Sequence, residues 1–255
     1  MSFNVTGFRT LLKKEVKRFW NVLAQTVTAP AITALLYLLV FAQALAGRDS
    51  AYSGVSYTQF LLPGLVMMSV IQNAFANTSS SLIQSKINGN LVFIMMAPLG
   101  AAEWFAAYVG AAVIRAALVS GAMLAVSLPF VPLPLAAPGV LLLMFLLAAA
   151  SLAVLGVLAG IYSQKFDHLA AFTNFFIMPL SFLSGVFYSI QSLQPFWRAV
   201  SHLNPFFYMI DGFRYGFFGQ SDTAPWLSLL WVSGFLALVS AVCLWMLKTG
   251  YKLRP

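Results

Sequence analysis

Long apolar stretches, separated by short polar, charged or proline-containing segments, dominate the chain. A helix needs about 20 apolar residues to cross the hydrocarbon core of a bilayer, which is about 30 Å thick. Stretches of about this length run approximately from Thr28 to Ala46, Gln59 to Leu82, Trp104 to Phe130, Gly139 to Tyr162, Leu169 to Phe187 and Pro225 to Leu247. Each predicts a transmembrane helix, because backbone groups in lipid must be hydrogen-bonded within their own segment. The pattern predicts an all-α polytopic membrane protein with six transmembrane helices.

The composition supports this prediction. Apolar residues make up 61% of the 255 positions and charged residues 8%, whereas soluble domains contain roughly 45–50% and 25%. This small number of charges cannot cover a water-exposed surface. The surface must therefore face lipid. The net charge of +8 comes from bases that cluster at the ends of the apolar stretches, and no nucleic-acid partner is expected. Cys243 is the only cysteine, which excludes an intrachain disulfide and a multi-cysteine metal site.

The basic residues predict the orientation of the helices, since lysine and arginine in short loops are enriched on the cytoplasmic side. One side carries Arg9, Lys13, Lys14, Lys17, Arg18, Lys86, Lys165, Lys248, Lys252 and Arg254. The other side carries Arg48, Arg198 and Arg214. The larger group predicts cytoplasmic N and C termini.

Residues 1–25 predict an amphipathic helix at the cytoplasmic membrane interface, ahead of a six-span domain over 26–255. The apolar positions recur at helical spacing at Phe8, Leu12, Val16, Phe19 and Leu23. Arg9, Lys13 and Lys17 form a separate basic row, as in helices that lie in the interface. The alternative is the basic front of a signal peptide, since Ala44-Leu45-Ala46 resembles a cleavage site. The long amphipathic region and the five further spans favour the interfacial helix.

Two connections are long. Residues 83–103 are predicted to be cytoplasmic, and residues 188–224 are predicted to lie on the outer side. The outer stretch is too apolar for a solvated loop, and its aromatic residues alternate with glycine and proline. This pattern predicts short helices that dip back into the membrane as a re-entrant hairpin.

The outer stretch carries a specific motif, a Ser-Gly-x-Phe element followed by Asn-Pro-(apolar)-(any)-Tyr and a later arginine. The residues that carry it are Ser184, Gly185, Phe187, Asn204, Pro205, Tyr208 and Arg214. With the basic N-terminal helix, the six spans and the long inner segment, this pattern resembles the permease subunits of type-2 ATP-binding-cassette exporters. The chain departs from the family pattern in two respects: it has less charge before Gly89, and Tyr188 stands where a proline is usual.

The resemblance implies a mechanism and its residues. Residues 83–103 are similar to the family's coupling segment, which docks on an ATPase subunit. The implied coupling residues are Lys13, Lys17, Lys86, Asn88, Gly89, Asn90, Met95, Met96 and Pro98. The second and fifth spans would line the translocation path, with candidates Gln72, Asn73, Asn77, Arg115, Phe172, Phe175, Phe176 and Phe182. In that arrangement the three amides would lie opposite the phenylalanines.

The resemblance also implies partners and location. We expect a homodimer in a bacterial inner membrane, which exports an amphiphilic, glycan-lipid or drug-like substrate. The sequence contains no Gly-x-x-x-x-Gly-Lys-Ser/Thr string, which a phosphate-binding loop requires. ATP hydrolysis, with its Mg-ATP, is therefore expected in a partner chain, and no cofactor or metal is expected in this chain.

Polar groups inside the spans allow more than one interpretation. Arg115 lies near the middle of the third span, where ionisable residues are costly. A structural partner in the bundle and contact with an anionic substrate both remain open. Glu103 is a poor partner for it, because twelve residues of helix measure about 18 Å.

Two other classes of protein remain as alternatives. An ion-gradient-driven transporter usually carries a carboxylate at the membrane midplane, and none of the acids is expected there. An intramembrane hydrolase is the less favoured alternative. Ser184 and His202 are its only conceivable dyad, and no Gly-x-Ser-x-Gly turn surrounds the serine.

Overall fold

The structure, a computed structural model, describes residues 3–44 and 52–252, without the side chains of residues 42 and 44. These residues are almost entirely helical. The helices are α1 Val5–Trp20, α2 Leu23–Ala44, α3 Tyr57–Ile87, α4 Asn90–Met96, α5 Ala101–Ser127, α6 Pro138–Tyr162, α7 Phe166–Phe172, α8 Met178–Phe182, α9 Pro195–His202, α10 Pro205–Phe218 and α11 Pro225–Thr249. A π-helical segment, Thr173–Ile177, joins α7 to α8, and a short 3-10 turn covers Ile190–Ser192.

Five helices in the described ranges are long and apolar enough to cross a membrane. They are α2, α3, α5, α6 and α11, and they correspond to the predicted first, second, third, fourth and sixth spans. The first begins five residues earlier than predicted, at Leu23. The predicted cleavage site at Leu45-Ala46, and the bases Arg48 and Arg254, lie outside the described residues.

The predicted fifth span, Leu169 to Phe187, is not one regular helix. The helical run begins at Phe166, passes through the π-helical segment and ends at Phe182. Pro179 has no N–H to donate to the carbonyl of Phe175, and such a residue disturbs the ladder of a regular helix. The wider turn precedes this proline, where the N–H of Met178 reaches the carbonyl of Thr173. The run is 17 residues long, at the short end of the range of about 17–25 residues for a transmembrane helix.

Helix α3 is the centre of the bundle. Most of its residues are buried, and it packs against α2, α5, α6 and α10. Its contact with α6 is the most extensive and depends on Gly156, where an added Cβ would overlap the carbonyl oxygen of Phe75 and the hydroxyl of Thr78. That hydroxyl donates to the carbonyl of Ala153 at 2.7 Å. Small residues permit this close backbone approach between helices.

Helix α10 lies in the core, although it comes from the predicted outer stretch. It packs against α3, α6 and α11. Helix α10 also approaches α6 closely at a glycine, because a Cβ on Gly216 would lie 2.8 Å from the Cα of Leu141. The Gly216 carbonyl accepts the N–H of Ala137 at 2.9 Å, so the α5–α6 loop satisfies the end of α10.

Helix α1 buries a face that is shifted from the predicted apolar face but shares Phe19 with it. Its buried positions are Leu11, Glu15 and Phe19, whereas Leu12 and Val16 are half-buried. The helix packs lengthwise against α5, with the N–H of Asn4 bonded to Glu103 at 2.8 Å and Leu12 lying on Gly110. The buried face is rotated because α1 contacts a helix rather than lipid alone.

We predict that Gly156→Ala destabilises the fold by about 1–3 kcal/mol, because the methyl group would force α3 and α6 apart. Thermal unfolding of the detergent-purified chain would measure this. The matched control is Gly121→Ala, where a Cβ meets nothing within 4 Å and a gain in helix propensity of up to about 1 kcal/mol is expected. Equal unfolding temperatures for the two variants would contradict the close-packing argument.

Candidate functional site

A group of charged and amide side chains joins α1 to the C-terminal half of α3, which the sequence predicts to be the inner half. Glu15 is fully buried and contacts the ammonium of Lys14 at 3.0 Å and Nε of Arg18 at 3.3 Å. The hydroxyl of Ser81 donates to Glu15 at 2.6 Å. A buried carboxylate is stable only when paired and hydrogen-bonded in this way. We call Glu15, Arg18, Asn73, Asn77 and Arg115 the inner charge cluster.

Two guanidinium groups of this cluster meet at one amide oxygen. Nη2 of Arg18 donates to the side-chain oxygen of Asn77 at 3.0 Å and to its carbonyl at 2.6 Å. Nη1 of Arg115 reaches the same side-chain oxygen at 3.5 Å, and Nη2 donates to Asn73 at 3.2 Å. Arg115 therefore has amide partners on α3 rather than a carboxylate. Arg18 is turned into the bundle. It does not lie free on the surface, although the sequence groups it with the bases of the cytoplasmic side.

The predicted translocation-path residues separate into two groups. Asn73 and Asn77 face Arg115, because successive helical positions point in different directions. Gln72 alone of the three amides contacts the α8 side, with Nε2 3.4 Å from the sulfur of Met178. The structure thus does not bring Asn73 and Asn77 opposite the phenylalanine row.

The phenylalanine row itself lies along the edge of the bundle. Phe172 stacks on Phe75 of α3 with ring centroids 5.5 Å apart, and Phe176 stacks on Phe172 at 5.0 Å. Phe175 is 76% exposed, and Phe182 packs against Phe187 at 5.9 Å. The row anchors the α7–α8 run to α3 at one point and leaves the other rings exposed.

The predicted coupling segment forms the short helix α4. It starts after Gly89, whose φ of +70° lies in the left-handed region that favours glycine. Asn88, Asn90, Met95 and Pro98 are exposed. The outermost side chains are apolar: Phe93 is 73% and Met96 is 77% exposed. A groove between α1 and α4, lined by Gly7, Thr10, Lys14, Phe93 and Pro98 among others, has a volume of about 500 Å³.

Of the basic coupling candidates, Lys13 and Lys17 are exposed on α1 and Lys86 is not free. The ammonium of Lys86 donates to the carbonyls of Ile161 and Ser163. These carbonyls belong to the last turn of α6 and the residue after it, where a cation satisfies groups that have no helical partner. Lys86 therefore holds α3 to α6 and does not project toward a partner.

The outer motif converges on Arg214 of α10, which is 1% exposed. Its guanidinium donates to the carbonyls of Gly185 at 3.0 Å and Val186 at 3.4 Å. The guanidinium carbon also lies 3.7 Å from the centroid of the Phe60 ring, a favourable cation–π distance. The turn at Gly185 has a φ of +75°, so glycine suits the turn that carries this carbonyl.

The other motif residues support the same turn and the start of α10. Asn204 donates to the carbonyl of Leu180 at 2.7 Å and accepts the N–H of Phe206 at 3.0 Å, which caps α10 ahead of Pro205. The Phe187 carbonyl accepts the hydroxyl of Tyr57 at 2.6 Å.

The remaining motif residues form local contacts. The Ser184 hydroxyl donates to the Ser181 carbonyl. The Tyr208 hydroxyl donates to the His202 carbonyl at 3.0 Å, and the Tyr208 ring stacks on Trp231.

Asp211 is a second buried hub on α10, and the sequence analysis did not select it. One carboxylate oxygen accepts the N–H of Asp222 at 2.7 Å and the hydroxyl of Tyr52 at 3.3 Å. The other accepts the N–H and the hydroxyl of Thr223 at 3.1 and 2.6 Å. Burial raises the pKa of Asp211, whereas the bonds from Thr223 and Asp222 act in the opposite direction. The carboxylate therefore holds Asp222 and Thr223, in the segment that leads into α11, against α10.

Known proteins match nearly the whole chain. A sequence model of the ABC-2 type transporter family matches residues 6–218. The chain is 37% identical over 248 residues, 97% of both chains, to the inner membrane transport permease YadH of Escherichia coli K12. The permease of the same name in Shigella flexneri shows the same identity and coverage.

This chain belongs to the ABC-2 type transporter family. It is therefore a transmembrane ABC transporter subunit, a permease, and the resemblance seen in its outer motif is confirmed. Because the chain belongs to the ABC-2 family, we no longer interpret it as an ion-gradient-driven transporter or as an intramembrane hydrolase. Consistent with this, Ser184 is bonded to a backbone carbonyl, and the His202 ring packs on Phe207.

Two residues of this ABC-2 permease were missed from sequence although a signal existed. Glu15 falls four residues after Leu11 and four before Phe19, so an acid interrupts a helical face. Asp211 falls three residues before Arg214 on a strongly apolar helix. An isolated acid at an otherwise apolar helical spacing indicates a buried partner.

We predict that Asp211→Asn lowers the stability of the permease by about 1–3 kcal/mol, because an amide offers one acceptor oxygen and directs its NH₂ group at existing donors. The unfolding temperature of the purified permease measures this. Asp167→Asn is the matched control, because Asp167 is exposed on α7 and its loss should cost less than about 0.5 kcal/mol. Similar effects for both variants would contradict the assigned role of Asp211.

Proposed function

We propose that this permease is the membrane subunit of an ATP-driven exporter. Two copies would pair with two ATPase subunits, which bind Mg-ATP, and move an amphiphilic, glycan-lipid or drug-like substrate out of the cytoplasm or inner leaflet. The observation that carries the proposal is helix α4, a short helix in an ABC-2 permease whose exposed Phe93 and Met96 offer an apolar docking surface. Isolated exposed apolar clusters of this kind suit a protein partner.

The inner segment, residues 83–103, is connected to α1 and α3, the two helices that would transmit a movement. The side-chain NH₂ group of Asn4 donates to the carbonyl of Pro98 at 2.9 Å. This bond joins the start of α1 to the chain just after α4. At the far end of α1, Arg18 bonds Asn77 of α3. A push on α4 would therefore reach the middle of α3 through α1, and alternation between inward-open and outward-open states would follow.

A six-span topology with both termini in the cytoplasm fits the bundle. The fifth crossing would be the helical run from Phe166 to Phe182, about 25 Å long at 1.5 Å per residue, with α9 and α10 as the re-entrant hairpin. Lys86 bonds the end of α6, and the ammonium of Lys252 lies 3.5 Å from the ring centroid of Tyr162 at the same end. Such grouping of bases at one end favours that end as cytoplasmic. The name of the Escherichia coli relative supports the inner membrane as the location.

Gln72 and the phenylalanine row are the residues that we propose for the translocation path. Exposed Phe175 and Phe176 lie on the α7–α8 run, beside the contact between Gln72 and Met178. Aromatic faces with one amide suit an amphiphile that is mostly apolar. Pairing of two copies would place these rings toward a shared path.

The topology gives a sharp prediction, since Cys243 is buried and is the only cysteine. After Cys243→Ala, a cysteine introduced by Phe93→Cys should react with a membrane-impermeant maleimide in inverted vesicles and not in intact spheroplasts. The control, Phe130→Cys, replaces a ring that is 74% exposed at the opposite end of α5 and should react in spheroplasts. Labelling of the Phe93 position from outside would overturn the orientation.

Docking on α4 gives a second prediction. Phe93→Glu with Met96→Glu should reduce recovery of the co-purifying ATPase subunit from host membranes by about tenfold, because the variant places charge in an apolar contact. The permease should keep its unfolding temperature, since both side chains are exposed. Phe130→Glu is the control and should retain the ATPase. Full recovery with the double variant would argue against α4 as the docking surface.

A further inference from the structure

The inner charge cluster contains more positive than negative charge. Arg18 and Arg115 contribute two cations, and Glu15 contributes one carboxylate, which contacts Arg18 and also the partly exposed Lys14 beside the cluster. Arg115 bonds only amide oxygens among the residues that the structure describes. Two guanidinium groups that converge on one neutral oxygen repel each other, and the repulsion is stronger away from water. Their arrangement lacks a second anion.

The unsatisfied atoms of the cluster are donors. Nε of Arg115 and Nδ2 of Asn77 are both buried and have no hydrogen-bond partner in the described part of the chain. Asn77 is 1% exposed, and its oxygen is fixed in place by the two guanidinium groups, so its NH₂ group must point elsewhere. A buried donor without an acceptor destabilises the fold, because it has lost its hydrogen bond to water. Unpaired donors beside excess positive charge match an anion with several acceptor oxygens.

An apolar groove adjoins the cluster through a shared residue. Asn73, which accepts from Arg115, also lines a groove of about 270 Å³ between α2, α3 and α5. One end of the groove carries Ser69, Gln72 and Asn73, and the rest is lined mostly by apolar residues including Ala34, Leu65, Met68 and Met123, together with Thr33 and Tyr37. A polar end beside a cation, followed by an apolar channel, matches a headgroup followed by an acyl chain.

We propose that the inner charge cluster binds the phosphate of an anionic amphiphile, whose acyl chain lies in the groove between α2, α3 and α5. Arg115 and Arg18 supply the charge, and Asn77 Nδ2 supplies a further donor. This proposal rests on the proposed function for its membrane setting and names a chemical class for the ligand. The ligand is either cargo or a lipid of the surrounding bilayer, because both carry the same phosphate chemistry.

The proposal is tested on the full-length permease without any ATPase, so its outcome does not depend on whether α4 docks one. The unfolding temperature in detergent is titrated with dioleoylphosphatidylglycerol, with dioleoylphosphatidylcholine and with inorganic phosphate. Phosphatidylglycerol should stabilise the native permease, and phosphatidylcholine should have little effect. Arg115→Gln should weaken the phosphatidylglycerol response by about tenfold or more in concentration. Arg9→Gln, which removes an exposed base of α1, should leave the response unchanged.

A second variant guards against a simple folding defect in Arg115→Gln. Asn77→Asp places a carboxylate between the two guanidinium groups, so this variant should unfold at a higher temperature than the native permease and no longer respond to phosphatidylglycerol. Equal responses to the two lipids, or a full response in Asn77→Asp, would overturn the proposal. Stabilisation by inorganic phosphate equal to that by phosphatidylglycerol would overturn the assignment of the groove.

Native mass spectrometry of permease purified from host membranes distinguishes the two sources. A bound mass equal to that of a phospholipid of the host membrane identifies a bilayer lipid, and a phosphate-bearing mass that matches no host phospholipid identifies cargo. Either mass should be absent from Arg115→Gln. Retention of the bound species in that variant would also overturn the proposal.

Discussion

Polar groups that lie away from water must be hydrogen-bonded by the protein itself, and the arrangement of this permease around α3 follows from that constraint. Helix α3 carries Asn73, Asn77, Thr78 and Ser81, yet it is the most buried of the candidate spans. These side chains meet three neighbouring helices: Asn73 bonds α5, Asn77 and Ser81 bond α1, and Thr78 bonds α6. Helix α3, with its polar C-terminal half, is central because only the centre of the bundle offers enough partners.

The two ends of the bundle satisfy their buried charges differently. At the end that carries α10, Arg214 donates to backbone carbonyls, and Asp211 accepts backbone N–H groups and the hydroxyls of Tyr52 and Thr223. Nε of Arg214 has no hydrogen-bond partner among the described residues, but the guanidinium lies over the Phe60 ring. At the end that carries α1, Arg115 donates to side-chain amides, and Arg18 donates to an amide, a hydroxyl and the Glu15 carboxylate as well as to one backbone carbonyl. Side-chain contacts can be exchanged for others, which suits a region that must bind and release.

Sequence alone predicted the parts of the fold that depend on length and composition. The spans that became α3, α5, α6 and α11 were placed to within a few residues, because a bilayer demands a minimum apolar length. The break before Pro179, the inward position of α10 and the rotated face of α1 were not predicted, because each depends on contacts between helices. The outer motif was recognised by its resemblance to a known family, whereas the bonds from Arg115 to Asn73 and Asn77 were not predicted, because 42 and 38 positions of sequence separate these residues.

The contact at Gly156 has a mechanical consequence. Helices that touch through long side chains can slide past one another as rotamers change, but α3 and α6 meet almost backbone to backbone, and a hydroxyl of one bonds a carbonyl of the other. Small sliding movements of packed helices need side chains that can repack. We therefore expect α3 and α6 to move as one rigid unit during a transport cycle, with α1, α2 and the interrupted α7–α8 run displaced relative to this pair.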